Sequence, residues 1–177
     1  MSLQSSSSRS GKWKLAALAV AVIAVVAGSA WFESTARSAA PAVVFTSLTG
    51  QKIPLSALRG KVVLVNFWAT SCNICVHEMP QMVRTYNQFR PRGLEVVAVA
   101  MSYDPPNYVL NYAQTRKLPF PVSLDPQDEL AQAFGGVNAT PTTFLIGKDG
   151  NIIKRFQGEP EFGALDQLLE HALAAAG

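Results

Sequence analysis

The chain has two cysteines, Cys72 and Cys75, and they lie three positions apart. An apolar run at residues 62–65 precedes them, and an amphipathic stretch follows them. A Cys-x-x-Cys motif at a strand-to-helix junction favours thiol–disulfide exchange, because the free N–H groups at the helix N-terminus stabilise a thiolate on the first cysteine. The second cysteine follows about one turn later, close enough to form a disulfide. The sequence therefore predicts a redox-active Cys72–Cys75 pair.

Two other roles for the cysteines fit this pattern less well. A cysteine that serves only as a small packing residue needs no partner three residues away. A structural zinc site normally has four protein ligands, and the chain offers only two histidines, His77 and the distant His171. Redox chemistry is therefore the preferred interpretation, and no metal site and no cofactor besides the disulfide are expected.

The N-terminal part of the chain has the pattern of a membrane segment. Residues 15–32 contain no charged side chain, and Arg9, Lys12 and Lys14 precede them. At ~1.5 Å per residue, a helix of this length spans about 27 Å, close to the thickness of the hydrocarbon core of a bilayer. The basic flank predicts that residues 1–14 stay in the cytoplasm and that the rest crosses the membrane.

Two alternatives stay open for residues 15–32, a permanent single-pass anchor and a cleaved signal that would end near Gly28-Ser29-Ala30. In both cases the cysteines lie outside the cytoplasm, where a disulfide persists. The three basic residues before the segment account for the net charge of +3, because the other 12 Lys and Arg balance the 12 Asp and Glu. The basic isoelectric point therefore indicates no nucleic-acid partner.

We expect residues 33–41 to form a tether and residues 42–177 to form one α/β domain. Early strand–helix–strand units indicate parallel pairing, and a turn at residues 147–151 indicates a late antiparallel hairpin. The sequence thus predicts a mixed sheet flanked by helices. The expected strands are residues 43–48, 62–67, 94–100, 122–124, 142–146 and 152–156, with helices at 71–89, 107–117, 127–134 and 161–175 and a turn at 55–58.

A second motif, at residues 138–144, places Pro141 just before an apolar strand. Proline lacks an N–H group and is tolerated in a sheet at the first residue of a strand. If the Thr140–Pro141 bond is cis, it forms a fixed corner whose preceding backbone can face the disulfide and pair with an incoming peptide strand.

Several motifs in combination resemble the membrane-anchored, thioredoxin-like thiol–disulfide oxidoreductases of the TlpA/ResA type. They are residues 65–70 (VNFWAT), the Cys72–Cys75 pair, residues 78–80 (EMP) and residues 141–146 (PTTFLI). The resemblance covers about residues 42–175. It implies a thioredoxin-like fold with an inserted βα segment around residues 104–125, and a cis-proline at Pro141 opposite the disulfide.

The resemblance also implies roles for individual side chains. Cys72 corresponds to the exposed nucleophile and Cys75 to the resolving thiol. Glu78 matches an acidic residue that tunes the thiols in ResA-like members, although a solvated surface carboxylate is the alternative at this position. Asn66 stands where cytoplasmic thioredoxins carry a buried aspartate, so proton transfer would fall to Glu78 or to water.

A partner-binding surface made of Thr140, Pro141 and Trp68 is implied as well. The chain departs from the family at two positions beside the cysteines. Ser71 replaces the usual tryptophan before the first cysteine, and Ile74 replaces the usual proline before the second. We expect both changes to alter the redox potential and the choice of partner.

These features predict a thiol–disulfide oxidoreductase of the inner membrane, most simply a disulfide reductase, with its catalytic domain in the periplasm or otherwise outside the cytoplasm. Its partners would be protein dithiols and disulfides, together with a membrane-bound electron donor. By resemblance, the candidate roles are cytochrome c maturation, assembly of the copper site of an oxidase, and defence against oxidants in cell redox homeostasis.

Two functions of other classes remain as alternatives. A copper-binding assembly factor would hold the metal through two thiolates and an imidazole, and His77 is the histidine nearest to the cysteines in the sequence, although a solvent-facing position is preferred for it. A peroxiredoxin-type peroxidase would carry a threonine three residues before the attacking cysteine. For Cys72 that position holds Ala69.

Overall fold

The structure is a computed structural model, and it describes residues 38–175. The predicted cytoplasmic segment 1–14, the membrane segment 15–32 and most of the predicted tether therefore lie outside the described residues. Among residues 38–175, no helix combines the length and apolar character needed to cross a membrane.

A five-stranded mixed sheet forms the centre of the domain. Its strand order is β5–β4–β3–β6–β7, where β3 pairs in parallel with β4, β4 in parallel with β5, and β6 antiparallel with both β3 and β7. The parallel core and the antiparallel hairpin agree with the prediction. The strands are β3 (Val62–Trp68), β4 (Leu94–Ala100), β5 (Val122–Leu124), β6 (Thr142–Ile146) and β7 (Ile152–Gln157).

Four α-helices within residues 38–175 accompany the sheet, and all four were predicted, with ends that differ by no more than two residues. They are α1 (Asn73–Phe89), α2 (Pro106–Thr115), α3 (Glu129–Ala133) and α4 (Phe162–Ala174). Helix α2 and strand β5 occupy the range in which the resemblance implies an inserted segment. The predicted turn at Leu55–Leu58 is a short 3₁₀ helix.

Alternate side chains of the sheet contribute to two apolar layers, as the twofold period of a strand requires. Val62, Leu64 and Trp68 of β3 pack in one cluster with apolar side chains of α1 and α4. Val63, Val65 and Phe67 belong to the second cluster, on the other face of β3. Because both faces are covered, β3 and β4 consist almost entirely of apolar residues.

A two-stranded hairpin of β1 (Val44–Thr46) and β2 (Lys52–Pro54) precedes the sheet. Its Phe45 is fully buried in the second apolar cluster. Strand β1 is shorter than the predicted strand at residues 43–48, and β2 was not predicted. Three residues are too few to show an alternating pattern, and proline argues against a strand unless it lies at an end or edge, as Pro54 does here.

The first described residues are bonded to the hairpin of β6 and β7 and do not belong to a free tether. Ile152 donates its N–H to the carbonyl of Ser38 at 2.8 Å, and Ala40 donates to the carbonyl of Gly150 at 3.0 Å. The compact unit of the domain begins at Ser38. The prediction that the tether extends to residue 41 is corrected at these positions, because backbone hydrogen bonds hold them to the sheet.

Candidate active site

The two cysteines lie where β3 ends and α1 begins, and they form a disulfide with 5.2 Å between their Cα atoms. Cys72 is the N-cap residue of α1, and its Sγ accepts a hydrogen bond from the Cys75 N–H at 3.2 Å. Cys75 is fully buried, whereas Cys72 is partly exposed. The helix terminus therefore holds one sulfur at the surface, with its N–H groups directed at that sulfur, and the other beneath it.

The loop before β6 faces Cys72 across the site. The Thr140–Pro141 peptide bond is cis, as the resemblance implies, and the carbonyl oxygen of Thr140 lies 3.6 Å from Cys72 Sγ. Among the hydrogen bonds of the described residues, none involves the Thr140 N–H. Pro141 is buried and stands directly before β6. This arrangement leaves the backbone at Thr140 as an open edge next to the accessible sulfur.

Glu78 lies on the same helix as Cys75 and is buried, with 1 % of its surface exposed. Its Oε1 accepts a hydrogen bond of 3.0 Å from Asn66 Nδ2, which also donates to Thr143 Oγ1 at 2.9 Å. Burial raises the pKa of Glu78 to about 7, the bond from Asn66 opposes the rise, and the negative charge of Glu159 adds to it. The alternative of a solvated surface carboxylate is therefore wrong.

The second carboxyl oxygen of Glu78, Oε2, is buried and has no hydrogen-bond partner in the described part of the chain. A carboxyl group with a pKa near 7 exchanges its proton readily at neutral pH, which suits general acid–base work. Glu78 follows Cys75 by three positions on α1, and residues so spaced are neighbours on a helix surface. The arrangement can therefore supply a proton carrier close to the buried sulfur.

Trp68, which the resemblance placed on the partner-binding surface, lies in the core. Its side chain is fully buried, and its ring packs against Tyr112 with 5.1 Å between centroids. This assignment is corrected, because a fully covered ring offers no surface to a partner. Trp68 is the last residue of β3 and belongs to the apolar cluster against which Cys72 packs.

His77 points towards solvent, as preferred from the sequence. Its side chain is 81 % exposed, and its Nδ1 lies 3.5 Å from Glu159 Oε2. Within residues 38–175, no three side chains of the His, Cys, Asp and Glu types cluster closely enough to hold a metal ion. The imidazole and the two sulfurs therefore do not form a preassembled metal site.

Two residues of the site, Thr70 and Asp104, were not recognised from the sequence. Asp104 is buried, and its carboxylate accepts the Thr70 N–H at 2.6 Å and the Thr70 Oγ1–H at 2.5 Å. It thereby fixes the backbone two residues before Cys72. The available signal was positional, since both residues follow the carboxyl ends of adjacent parallel strands, β3 and β4, and such ends meet at one edge of a sheet.

Comparison with known proteins agrees with this geometry. The model of the Redoxin family matches residues 35–169. The chain is 37% identical to the thiol-disulfide oxidoreductase ResA of Bacillus thuringiensis subsp. konkukian over 74% of this chain and 75% of the relative. For ResA of Geobacillus thermodenitrificans the identity is 38%, over 75% of each chain.

Two solved structures have the same fold as this chain. A thiol:disulfide interchange protein of the thioredoxin family from Chlorobium tepidum superposes with a TM-score of 0.72 at 30% identity, over 79% of this chain and 99% of the other. A thioredoxin-like protein from Neisseria meningitidis gives a TM-score of 0.71 at 42% identity, over 76% and 90%.

These relatives favour thiol–disulfide exchange over the copper-factor and peroxidase alternatives. The superposed structures also agree with the mixed sheet flanked by helices described above. The chain belongs to the Redoxin family, and it is a thiol–disulfide oxidoreductase of the TlpA/ResA-like type with a thioredoxin-like fold.

Proposed function

We propose that this protein is a disulfide reductase that acts on partner proteins outside the cytoplasm, with Cys72 as the attacking sulfur and Cys75 as the resolving sulfur. The observation that carries the proposal is the unequal exposure of the two cysteines. Cys72 is partly exposed at the N-terminus of α1, where helix N–H groups stabilise a thiolate. Cys75 is enclosed and reaches a partner only through Cys72.

The reaction has two exchange steps. In the first, the Cys72 thiolate attacks one sulfur of a partner disulfide, so that a Cys72–partner bond forms and the other partner sulfur leaves as a thiolate. In the second, the Cys75 thiolate attacks Cys72 Sγ, which forms the Cys72–Cys75 disulfide and releases the remaining partner thiolate. Two electrons pass to the partner, and two protons from the enzyme dithiol or from water complete its thiols.

Glu78 is proposed to accept the proton of the Cys75 thiol before the second step. Burial holds the pKa of Glu78 near 7, so that a proton is gained or lost at small cost at neutral pH. The hydrogen bond from Asn66 fixes the orientation of the carboxyl group. Asn66 itself has no titratable proton, so that Glu78 is the member of this hydrogen-bonded pair that can accept one.

The partner is proposed to bind as an extended segment along the open edge at Thr140. An extended peptide adds to an exposed backbone edge through main-chain hydrogen bonds. The unpaired N–H of Thr140 and its carbonyl beside Cys72 supply one donor and one acceptor. Such pairing would align the partner's disulfide with the accessible sulfur for an in-line attack.

We further propose that residues 15–32 hold the domain at the outer face of the cytoplasmic membrane, with a membrane-bound dithiol donor to regenerate the enzyme. This proposal is supported by the absence of charged residues over 18 positions and by the basic residues that precede them. Candidate partners are cysteine pairs that must be reduced before a cofactor attaches, as in apocytochrome c or the copper site of an oxidase. Proteins damaged by oxidants are a third class.

Trapping of the mixed disulfide tests the assigned roles. In Cys75→Ser the second step is blocked, so we expect partner proteins to accumulate on Cys72 as complexes that dithiothreitol releases. Cys72→Ser is the matched control and should trap nothing. If Cys72→Ser traps partners as well as Cys75→Ser does, or reduces disulfides as fast as the unaltered protein, the assigned roles are wrong.

A further inference from the structure

Tyr103 is an exposed aromatic residue beside the redox site, and it has no role in the exchange reaction proposed above. It lies in the loop between β4 and α2, with 57% of its surface exposed. Its hydroxyl lies 3.1 Å from Thr140 Oγ1. Thr140 is also the residue whose carbonyl faces Cys72 Sγ. A single residue of the cis-proline loop therefore contacts both the redox sulfur and Tyr103.

The backbone beside Tyr103 is held firmly in place. The neighbouring Asp104 is buried and binds both the N–H and the hydroxyl of Thr70. Its own N–H donates to the carbonyl of Met101 at 3.0 Å, and Met101 donates to the carbonyl of Trp68 at 3.0 Å. Tyr103 thus contacts the cis-proline loop at Thr140, and the adjacent Asp104 binds Thr70 in the loop before Cys72. The ring of Tyr103 is consequently an anchored surface feature.

A second exposed apolar side chain lies within the Cys72–Cys75 segment itself. Ile74 lies between the two cysteines, with 52% of its surface exposed. Tyr103 lies in the loop between β4 and α2 and contacts the cis-proline loop at Thr140, whereas Ile74 lies at the start of α1 between the two cysteines. Each of the two segments that form the redox site therefore has an exposed apolar side chain on it or against it, where a partner segment that reaches Cys72 would meet it.

We propose that Tyr103 is a specificity-determining residue, and that with Ile74 it selects extended partner segments in which large apolar residues flank the reactive cysteine. The inference rests on the proposed reductase function and adds the class of segment that is preferred. The surface formed by these two side chains adjoins the redox site and the open backbone edge at Thr140. The segment that occupies it is therefore the one that carries the partner disulfide. Aromatic side chains contribute large contact areas at low entropic cost, which suits such a role.

The test compares three disulfides in single turnovers with the full-length protein in detergent, reduced beforehand with dithiothreitol and freed of it. Two are disulfide-linked dimers of Ac-Gly-Phe-Cys-Phe-Gly-NH2 and of Ac-Gly-Ser-Cys-Ser-Gly-NH2, and the third is hydroxyethyl disulfide, which has no amino-acid side chains beside its sulfurs. We expect the second-order rate constant for the phenylalanine peptide to exceed that for the serine peptide about tenfold.

Tyr103→Ala should abolish most of this preference and leave the rate with hydroxyethyl disulfide unchanged. Tyr103→Phe keeps the ring and should keep the preference. Tyr108→Ala is the matched control, because Tyr108 is 59% exposed on α2 and has no hydrogen bond to the site in the described part of the chain. It should behave like the unaltered protein.

Three results would overturn the inference while leaving the reductase function intact. The unaltered protein could reduce both peptides equally fast, or Tyr103→Ala could retain the preference. A loss of preference in Tyr108→Ala equal to that in Tyr103→Ala would also contradict it. If the unaltered protein reduces none of the three disulfides, the proposed reductase function is wrong, and the inference falls with it.

Discussion

The carboxyl group of Glu78 combines nearly complete burial with a single hydrogen bond, from Asn66. Burial without full compensation penalises the charged form of an acid. The neighbouring Glu159 acts in the same direction, so that the pKa rises to about 7 in spite of Asn66. The ordinary value of 4.5 would keep the group ionised throughout the neutral range. Its environment therefore brings the pKa of Glu78 into the neutral range.

Glu78→Gln should remove a pH dependence from the stability of the oxidised protein. Because the folded-state pKa is raised from 4.5 to about 7, the folded protein binds this proton more tightly than the unfolded chain does. The stability that this bound proton contributes to the folded protein is fully present below pH 4.5 and is lost as the pH rises through 7. The loss amounts to about 3 kcal/mol of unfolding free energy.

Denaturant unfolding between pH 4 and 8 measures this effect. Glutamine keeps an oxygen that can accept the bond from Asn66 but has no proton to release in this range. The difference in unfolding free energy between Glu78→Gln and the unaltered protein should therefore grow with pH and level off above pH 7. A difference that stays constant with pH would contradict a raised pKa at Glu78.

The bond from Asp104 to Thr70 should determine how rigidly the loop before Cys72 is held. Hydrogen bonds to a charged acceptor are worth about 1.5–3 kcal/mol each. Asp104→Asn places an amide NH2 where one carboxylate oxygen accepts now. The Thr70 amide should then exchange its hydrogen at least about tenfold faster, as measured by NMR in native conditions.

Asp128→Asn provides a control for this measurement. Asp128 hydrogen-bonds to Ser102 and Gln132 and has a φ of 62°, a backbone conformation that asparagine tolerates. It should leave the Thr70 amide unchanged. Equal exchange rates of this amide in Asp104→Asn and the unaltered protein would show that Asp104 does not hold the loop.

Individual site residues differed in how far the sequence could predict them. Cys72 and Cys75 were predictable because their spacing after an apolar strand is itself the signal. The burial of Glu78 was not, because its helical position alone is compatible with either a buried or a solvated carboxylate. The position of Trp68 was misjudged, since a motif shared with a family identifies a residue without showing whether its side chain is covered by the rest of the fold.

Among the secondary-structure elements, the long apolar ones were the most predictable. Strands β4 and β6 have the predicted bounds, and β3 extends one residue beyond them, because continuous apolar runs bounded by polar turns define a buried strand. The three-residue strand β2 lacked such a signal. Contacts between residues far apart in the sequence were also difficult to predict. Thr140 and Cys72 are 68 positions apart, and the pairing of β3 with β6 brings them together.

The unpredicted β1–β2 hairpin should contribute substantially to stability through Phe45. This side chain is fully buried in the apolar cluster that contains Val63 and Val65, whereas α1 packs in the other cluster. Phe45→Ala removes the ring from a packed site and should lower the unfolding free energy by about 3–5 kcal/mol. The redox potential of the Cys72–Cys75 pair should stay unchanged, because α1 belongs to the other cluster.

The neighbouring Val44 offers a matched control on the same strand. It is 51% exposed, so Val44→Ala should change the unfolding free energy by no more than about 0.5 kcal/mol. Denaturant titration of both variants decides the matter. If Phe45→Ala is as stable as Val44→Ala, the hairpin is not part of the cooperative core.

For the molecule as a whole, the proposed location outside the cytoplasm is based on the chemistry of the site and on the N-terminal sequence. A dithiol–disulfide pair that must persist in both redox states suits a compartment outside the reducing cytoplasm. Residues 15–32 carry no charge and follow three basic residues, which is the pattern that directs the following domain across a membrane. The domain from Ser38 onwards is a compact unit.

Fusion of alkaline phosphatase after Gly177 tests this location in a bacterial host, because that reporter needs disulfides that form only outside the cytoplasm. We expect the fusion of the full chain to be active, and the fusion that lacks residues 15–32 to be inactive at equal expression. A permanent anchor predicts that the active fusion stays in the membrane pellet after carbonate extraction. A cleaved signal predicts release into the soluble periplasmic fraction with a new N-terminus near Ala30. Equal activity with and without residues 15–32 would refute both alternatives and with them the proposed compartment.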